Sequence, residues 1–185
     1  MIHSVLIFNN DGQPRLTKFY APLPVNHQQL LLKQVHQLVI QRNDSQSSFL
    51  TIPPLLQQNY SLDSQSIRVI YRHFATLYFV FIVDQTESEL GILDLIQVFV
   101  QVLNRCFKDV CEYDLVFHWE VLQIALEEMI QGGMVIETNI NRIVAAIDDM
   151  NTGDLSFRRD SPGPSTPTSS AAAAAASFFS RWPIT

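Results

Sequence analysis

The chain has 185 residues, of which 47% are hydrophobic and only 16% charged, and its formal net charge is −6. This length suits one domain with a sizeable core, because domains most often have about 100–150 residues. A negative net charge with only 12 basic residues, scattered along the chain, argues against a nucleic-acid binder, which would need clustered Lys and Arg. The longest apolar run, Leu77–Val83, is far shorter than the roughly 20 residues that cross a bilayer, so we expect no transmembrane segment.

The start of the chain and its cysteines indicate a cytosolic protein. The apolar stretch Val5–Phe8 is short and no Lys or Arg precedes it, so no secretory signal is predicted. Cys106 and Cys111 stand at positions that point to different faces of a helix, which disfavours a disulfide between them. We therefore expect reduced, structural thiols in a cytosolic compartment.

The first half of the sequence predicts two hairpins separated by a helix. Asn9-Asn10-Asp11-Gly12 is a strong turn signal that follows an apolar stretch. Arg72-His73-Phe74-Ala75 is expected to be the tight connection of the second hairpin, and Asn43–Ser66 a long loop. The predicted elements are strands at Ile2–Phe8 and about Arg15–Tyr20, a helix from His27 to about Gln41, a short strand around Phe49–Ile52, and strands at Ile67–Tyr71 and Thr76–Val83.

The second half is predicted to be helical. Thr86-Glu87-Ser88-Glu89 matches a capping box, so a helix is expected from about Glu87 to Phe107. Its apolar residues form two adjoining stripes, which means that more than one layer of structure must cover it. The other predicted helices are Glu112–Ile130, closed by the cap Gly132-Gly133, and about Asn139–Met150.

This order of elements indicates an α+β fold, with an antiparallel sheet of about five strands sandwiched between helices. After Met150 the composition changes abruptly to Ser, Pro, Thr and a run of alanines. We therefore expect one domain over residues 1–151 and a disordered Ser/Pro/Ala-rich tail over residues 152–185. A short docking motif made by Phe178, Phe179 and Trp182 is the alternative interpretation of that tail.

No residue pattern predicts catalysis or a cofactor. None of the histidines stands at a metal-ligand spacing from a Cys, Asp or Glu partner. The chain has no glycine-rich phosphate loop, and a solvated helix face explains Glu127 and Glu128 better than a general acid does. A nucleophile pair of Cys106 or Cys111 with His118 is compatible with the spacing, but helix packing also accounts for these residues. We therefore expect neither an enzyme nor a bound cofactor.

Several separated blocks of the sequence, taken in order, carry a resemblance to a known family. The blocks are Met1-Ile2, Leu6–Asn10, Gly12, Pro14–Leu16, Lys18–Tyr20, Ile70–His73, Ala75–Phe79, Glu87–Val100, Asp109–Glu112 and Asp114–Phe117. They cover residues 1–150 and resemble the sigma (small) subunits of clathrin-type adaptor complexes. The stretch Glu87–Val100, with Phe8-Asn9-Asn10 and the long loop before Ile67, is most similar to the third adaptor type.

This resemblance implies a longin-like domain within a heterotetramer whose other members are delta-type and beta-type large subunits and a mu-type medium subunit. It also implies a cytoplasmic complex, peripheral on Golgi, endosomal and coated-vesicle membranes, that sorts cargo to lysosomes or vacuoles. A large subunit is then expected to cover apolar faces such as that of the helix after Glu87. The alternative is another longin-type trafficking module, such as a coatomer small chain or a tethering-complex subunit.

The resemblance further implies a binding site for acidic dileucine signals in the cytosolic tails of membrane cargo. Arg15 would attract the acidic residue upstream of the leucines. The residues that would line the leucine pocket are Ala75, Leu77, Val100, Val110 and Leu115. Each assignment has a structural alternative, a solvated charge for Arg15 and ordinary core packing for the apolar residues. Asp109 and Tyr113 flank the implied pocket, and the carboxylate of Asp109 is expected to weaken the capture of an acidic signal.

Overall fold

A computed structural model of the chain describes residues 1–43, 46–51, 67–107 and 110–157, and gives the backbone alone for residues 151–157. The strands are β1 (Ile2–Asn9), β2 (Pro14–Phe19), β3 (Phe49–Thr51), β4 (Arg68–Phe74), β5 (Leu77–Val83), β6 (Ile130–Gln131) and β7 (Met134–Val135). The helices are α1 (Val25–Ile40), α2 (Glu89–Phe107), α3 (Glu112–Phe117), α4 (Trp119–Met129) and α5 (Ile140–Phe157).

The first five strands form one antiparallel sheet in the order β2-β1-β5-β4-β3. Leu77 at the start of β5 is paired with Asn9 at the end of β1 on one side and with Phe74 at the end of β4 on the other. The ends of β1 and β4 and the start of β5 therefore lie side by side at one end of the sheet. β6 and β7 form a separate short hairpin. The predicted five-stranded α+β fold is confirmed.

Side chains of β5 alternate between two apolar cores, one on each face of the sheet. Phe79, Phe81 and Val83 pack in a core with residues of α2, α4 and α5. Val80 and Ile82 pack in a second core with residues of α1. Because both faces of a strand are covered, its sequence is continuously apolar rather than alternating. The sheet is therefore sandwiched between helices, as the sequence predicted.

Helix α2 buries most of its two predicted apolar stripes inside this chain. The buried residues are Ile92, Leu95, Ile96, Phe99, Val100, Val102 and Leu103. The sheet packs against one side of the helix and α4 and α5 against another. Within the described residues α2 is long and apolar enough to cross a membrane by length and composition, yet it packs as a core helix. The chain itself therefore covers most of these stripes, and the expectation that a large subunit covers them stays a prediction for their partly buried residues Leu93, Cys106 and Phe107.

The second hairpin has a tighter connection than predicted. β4 continues through Phe74, so the turn consists of Ala75 and Thr76 alone. The ladder extends this far because side chains pair across it, as shown by the stacking of His73 on Tyr78 with ring centroids 4.1 Å apart. Ala75 takes the left-handed conformation, with φ at 54°, that a two-residue turn of this kind requires.

Helix α2 begins two residues later than predicted. The hydroxyl of Ser88, not that of Thr86, accepts a hydrogen bond from a first-turn amide, the N–H of Gly91 at 3.3 Å. Thr86 instead donates its backbone N–H and its hydroxyl to Asp84. Both Thr86 and Ser88 are suitable cap residues followed by acidic residues, so the local pattern did not distinguish them.

The predicted single helix Glu112–Ile130 is wrong, because two helices, α3 and α4, meet at His118. His118 has φ −120° and ψ 43°, which are not helical values. Gly132 and Gly133 form the turn of the β6–β7 hairpin instead of capping a helix, and both have positive φ. α4 ends at Met129, and the next residue, Ile130, is extended and starts β6.

The last helix is longer at its end than predicted, since α5 runs past Met150 to Phe157. The predicted short strand near Phe49 is confirmed as β3, which pairs with β4. Residues 44–45 and 52–66 of the predicted long loop lie outside the described residues. So does the predicted tail from residue 158 onward, with its candidate docking motif.

Candidate functional site

Arg15, the predicted acid-binding residue, forms an ion pair with Glu112. Its Nε and Nη2 atoms donate to the same carboxylate oxygen, Oε1 of Glu112, at 2.9 and 2.6 Å. Nη2 also donates to Oε1 of Gln13 at 3.2 Å. The side chains of Arg15 and Glu112 are 19% and 26% exposed, so the pair is accessible from one side. Arg15 is therefore not simply a solvated charge.

Glu112 connects α3 to β1, β2 and the β4–β5 turn, at the end of the sheet where β1, β4 and β5 lie side by side. Its Oε1 accepts a hydrogen bond from Nδ2 of Asn9 at 3.2 Å, and its Oε2 accepts one from the hydroxyl of Thr76 at 3.3 Å. With Arg15 on β2, these contacts join the start of α3 to β1, β2 and the β4–β5 turn. The contacts of Glu112 thereby bring Arg15, the turn that carries Ala75, and the segment that carries Val110 and Leu115 into one region.

The side-chain amide of Asn9 has only one orientation that satisfies its neighbours. Its Oδ1 accepts hydrogen bonds from the backbone N–H groups of Asp11 and Gln13, at 3.1 and 2.9 Å. An oxygen is required in that position, so the nitrogen Nδ2 must face Glu112. The β1–β2 turn thus holds a hydrogen-bond donor aimed at the carboxylate.

The predicted leucine-pocket residues divide into an exposed one and four buried ones. Ala75 is exposed at the β4–β5 turn. The other four belong to the same apolar core and are between 0 and 5% exposed: Leu77, Val100, Val110 and Leu115. Such burial leaves little of these side chains for a peptide to contact. Two leucines would have to enter a space that opens by movement of side chains or of the short helix α3.

Glu112 was not predicted as part of this site. The block Asp109–Glu112 carried the family resemblance, but the carboxylate near Arg15 was expected to come from Asp109. Asp109 lies outside the described residues. Among the described residues, the carboxylate that meets Arg15 belongs to Glu112.

An unusually exposed group of large apolar side chains adjoins the site on α3 and the start of α4. We call it the apolar ledge, and it consists of Tyr113 (74% exposed), Val116 (44%), Phe117 (74%) and Trp119 (56%). Large apolar side chains that cluster on a surface mark protein contacts more often than isolated ones do. The ledge follows directly after Glu112 in the chain, so a partner on it would lie next to the site.

The chemistry of the described residues offers no support for catalysis. Burial raises the pKa of the Cys106 thiol, and burial together with a hydrogen bond involving Asp114 raises the pKa of the Cys111 thiol. A raised pKa keeps both sulfurs protonated and weakens them as nucleophiles. Within the described part of the chain, no group of three or more His, Cys, Asp and Glu residues is placed to hold a metal ion.

Comparisons with known proteins agree with the resemblance and extend it. The clathrin adaptor complex small-chain family matches residues 1–154. A clathrin-associated AP-3 complex component of Candida albicans is 64% identical over 152 residues, which span 82% of this chain and 84% of that protein. The AP-3 complex subunit sigma of Saccharomyces cerevisiae is 57% identical over 157 residues (82% and 81% of the chains), and AP-3 complex subunit sigma-2 of Homo sapiens is 48% identical over 151 residues (82% and 75%).

The fold has a counterpart in a structure described as a homology model of the full-length AP-3 complex in a stretched open conformation. One chain of it is 55% identical, with a TM-score of 0.65, and the match covers 85% of this chain and 97% of that one. Identities of this size favour an adaptor sigma subunit over a coatomer or tethering-complex subunit. Small chains of adaptor complexes are trafficking components and not enzymes. The chain therefore belongs to the clathrin adaptor complex small-chain family, as a sigma-type small subunit of the AP-3 kind that acts in vesicle trafficking.

Proposed function

We propose that this sigma chain binds acidic dileucine signals in the cytosolic tails of membrane cargo. The observation that carries the proposal is that Glu112, in the segment Val110–Leu115, contacts both Arg15 and Thr76, the neighbour of Ala75 in the β4–β5 turn. A guanidinium group pairs with a carboxylate through charge-assisted hydrogen bonds. Branched apolar side chains beside it suit two leucines of a peptide.

The expected affinity is modest. Burying two leucine side chains contributes roughly 3–6 kcal/mol, and ordering a flexible peptide subtracts several of these. The dissociation constant is then on the order of micromolar. Peripheral attachment of the complex to a membrane that displays many cargo tails would raise the effective affinity through multivalency.

The proposed partners are delta-type and beta-type large subunits and a mu-type medium subunit. Support comes from the names of the relatives, which are components of AP-3 complexes, and from the apolar ledge. We propose that the assembled complex is cytoplasmic and peripheral on Golgi, endosomal and coated-vesicle membranes, and that it directs cargo to lysosomes or vacuoles. Affinity capture of the tagged chain should recover delta, beta and mu chains in comparable amounts, and recovery of coatomer or tethering subunits instead would contradict this assignment.

The signal-binding proposal is tested with the reconstituted complex and a fluorescent peptide that carries an acidic residue upstream of two leucines. Ala75→Asp places an unpaired charge at the pocket rim and should abolish binding. This variant preserves the fold because Ala75 is exposed and because Asp tolerates a positive φ better than most residues do. Leu115→Ser should also abolish binding, and its assembly into the complex is checked first.

The matched control is Met134→Asp, which introduces the same charge at a 65% exposed position of the β6–β7 hairpin. It should bind the peptide like the wild type. Unchanged binding by Ala75→Asp in an intact complex would rule out a dileucine pocket beside the β4–β5 turn.

A further inference from the structure

We propose that Glu112 is an internal ligand of Arg15. Glu112 competes with the acidic residue of the signal for Arg15 and thereby lowers the affinity of the chain for the signal. The inference rests on the proposed signal-binding function and adds a residue that determines its specificity. It follows from which edge of the guanidinium is occupied, from how the carboxylate is held, and from the charge that a bound signal would bring.

The edge of Arg15 that best suits a carboxylate is already in use. A carboxylate pairs most strongly with two parallel N–H groups of a guanidinium. The Nε and Nη2 atoms of Arg15 form one such edge, and both donate to Oε1 of Glu112, at 2.9 and 2.6 Å. Gln13 accepts a further bond from Nη2. A signal carboxylate can take this edge only if Glu112 gives it up.

Glu112 also accepts hydrogen bonds from two other residues, and these bonds remain when Arg15 turns towards a ligand. Asn9 donates to Oε1 and Thr76 donates to Oε2. The amide of Asn9 is fixed by the turn, because its Oδ1 accepts two backbone N–H groups. The carboxylate therefore keeps two hydrogen bonds without Arg15, so exchange of Arg15 between Glu112 and a signal leaves no charged group without a partner.

Charge decides the direction of the effect. A signal carboxylate bound to Arg15 would stand next to the carboxylate of Glu112, and like charges at short range repel each other. A peptide with a neutral residue in place of the acid is not repelled by Glu112 and does not compete with it for Arg15, so Glu112 does not reduce the affinity for that peptide. Glu112 therefore lowers the affinity for acidic signals selectively and reduces the difference between acidic and neutral ones.

The test compares two peptides on the reconstituted complex, one with Glu and one with Gln upstream of the two leucines. In Glu112→Gln the side chain keeps its shape but carries no charge. Its amide oxygen can still accept from Arg15 and Asn9, and its NH2 group, in the place of Oε2, can donate to the hydroxyl of Thr76. We expect this variant to bind the acidic peptide on the order of 5-fold more tightly, the upper range for a partly exposed ion pair, and the neutral peptide unchanged. Thr76→Val removes one of the two hydrogen bonds that Glu112 keeps when Arg15 leaves it, so it should make release of Arg15 costlier and weaken binding of the acidic peptide by a smaller factor.

The control is Glu120→Gln, which makes the same change of net charge at an exposed position of α4. It should leave both affinities unchanged, and an equal gain for this control would overturn the inference. Weaker or unchanged binding of the acidic peptide to Glu112→Gln would also overturn it and would make Glu112 a residue that positions Arg15. If no complex binds either peptide, the proposed signal-binding function fails and the inference fails with it, whereas a wild type that binds and an inert Glu112→Gln refute the inference alone.

Discussion

The side-chain nitrogen of Asn9 lies 3.2 Å from Oε1 of Glu112, and this contact joins the end of β1 to the start of α3. Asn9→Asp would place an oxygen where the nitrogen now stands, because the existing Oδ1 is held by two backbone N–H groups. Two carboxylates would then face each other at a position only 8% exposed. We expect the free energy of unfolding to fall by about 1–3 kcal/mol, measured by chemical denaturation of the purified chain.

Asn10→Asp is the matched control for this change. Asn10 is exposed in the same turn, so the same chemical substitution should alter stability by no more than about 0.5 kcal/mol. Equal losses for the two variants would mean that the turn tolerates no acid at all, and that the contact with Glu112 is not the cause.

Much of the fold could be predicted from local patterns because local physics decides it. The signal Asn9–Gly12 predicted the first hairpin, and the run Thr76–Val83 predicted the strand that the structure shows as β5. The break at His118 could not be predicted in this way, because the apolar spacing of α3 continues into α4 and gives no sign of a change of direction. The pair Gly132-Gly133 suits a helix cap and a hairpin turn equally well, so only the tertiary structure decides between them.

The candidate site was predicted in part, through residues whose types suit a peptide signal. Arg15 and the apolar residues were named, but Glu112 was not. Its partners lie far away in the chain, with Asn9 103 residues distant, Arg15 97 residues and Thr76 36 residues. A contact over such distances leaves no periodic or spacing signal, so Glu112 resembles an ordinary charged residue at the start of a helix.

Gly133, in the turn of the β6–β7 hairpin, packs closely against the backbone of Ile2 at the start of β1. A Cβ atom added to Gly133 would lie 2.3 Å from the carbonyl oxygen of Ile2, and φ there is 80°. Since the carbonyl of Gly133 also accepts the N–H of Ile2, neither backbone can move freely. We expect Gly133→Ala to destabilise the chain by about 3 kcal/mol or more, seen as a lower midpoint of thermal unfolding.

Gly132→Ala separates this clash from backbone strain. Gly132 also has a positive φ, at 57°, but an added Cβ would meet nothing within 4 Å. Its cost should be about 1 kcal/mol, that of the left-handed conformation alone. Similar losses for the two variants would show that the contact with Ile2 relaxes easily.

The apolar ledge should matter for assembly and little for folding. Phe117 is 74% exposed, so Phe117→Ser removes few contacts within the chain. If a large subunit covers the ledge, loss of the aromatic ring should weaken the complex by about 2 kcal/mol or more, as for other central aromatic contacts. Recovery of the large subunit with the tagged chain measures this effect. Leu30→Ser on α1, at a 43% exposed position, is the control and should retain the partner.

His3 on β1 predicts a dependence of stability on pH. It is only 4% exposed, and burial lowers its pKa, with the N-terminal ammonium acting in the same direction and Asp84 opposing both. The folded chain therefore binds a proton at His3 less readily than the unfolded chain does. The free energy of unfolding should fall as the pH drops below about 6.5, where the unfolded histidine becomes protonated. Denaturation at several pH values should show a shallower decline for His3→Gln than for the wild type, while His118→Gln at an exposed position should follow the wild type.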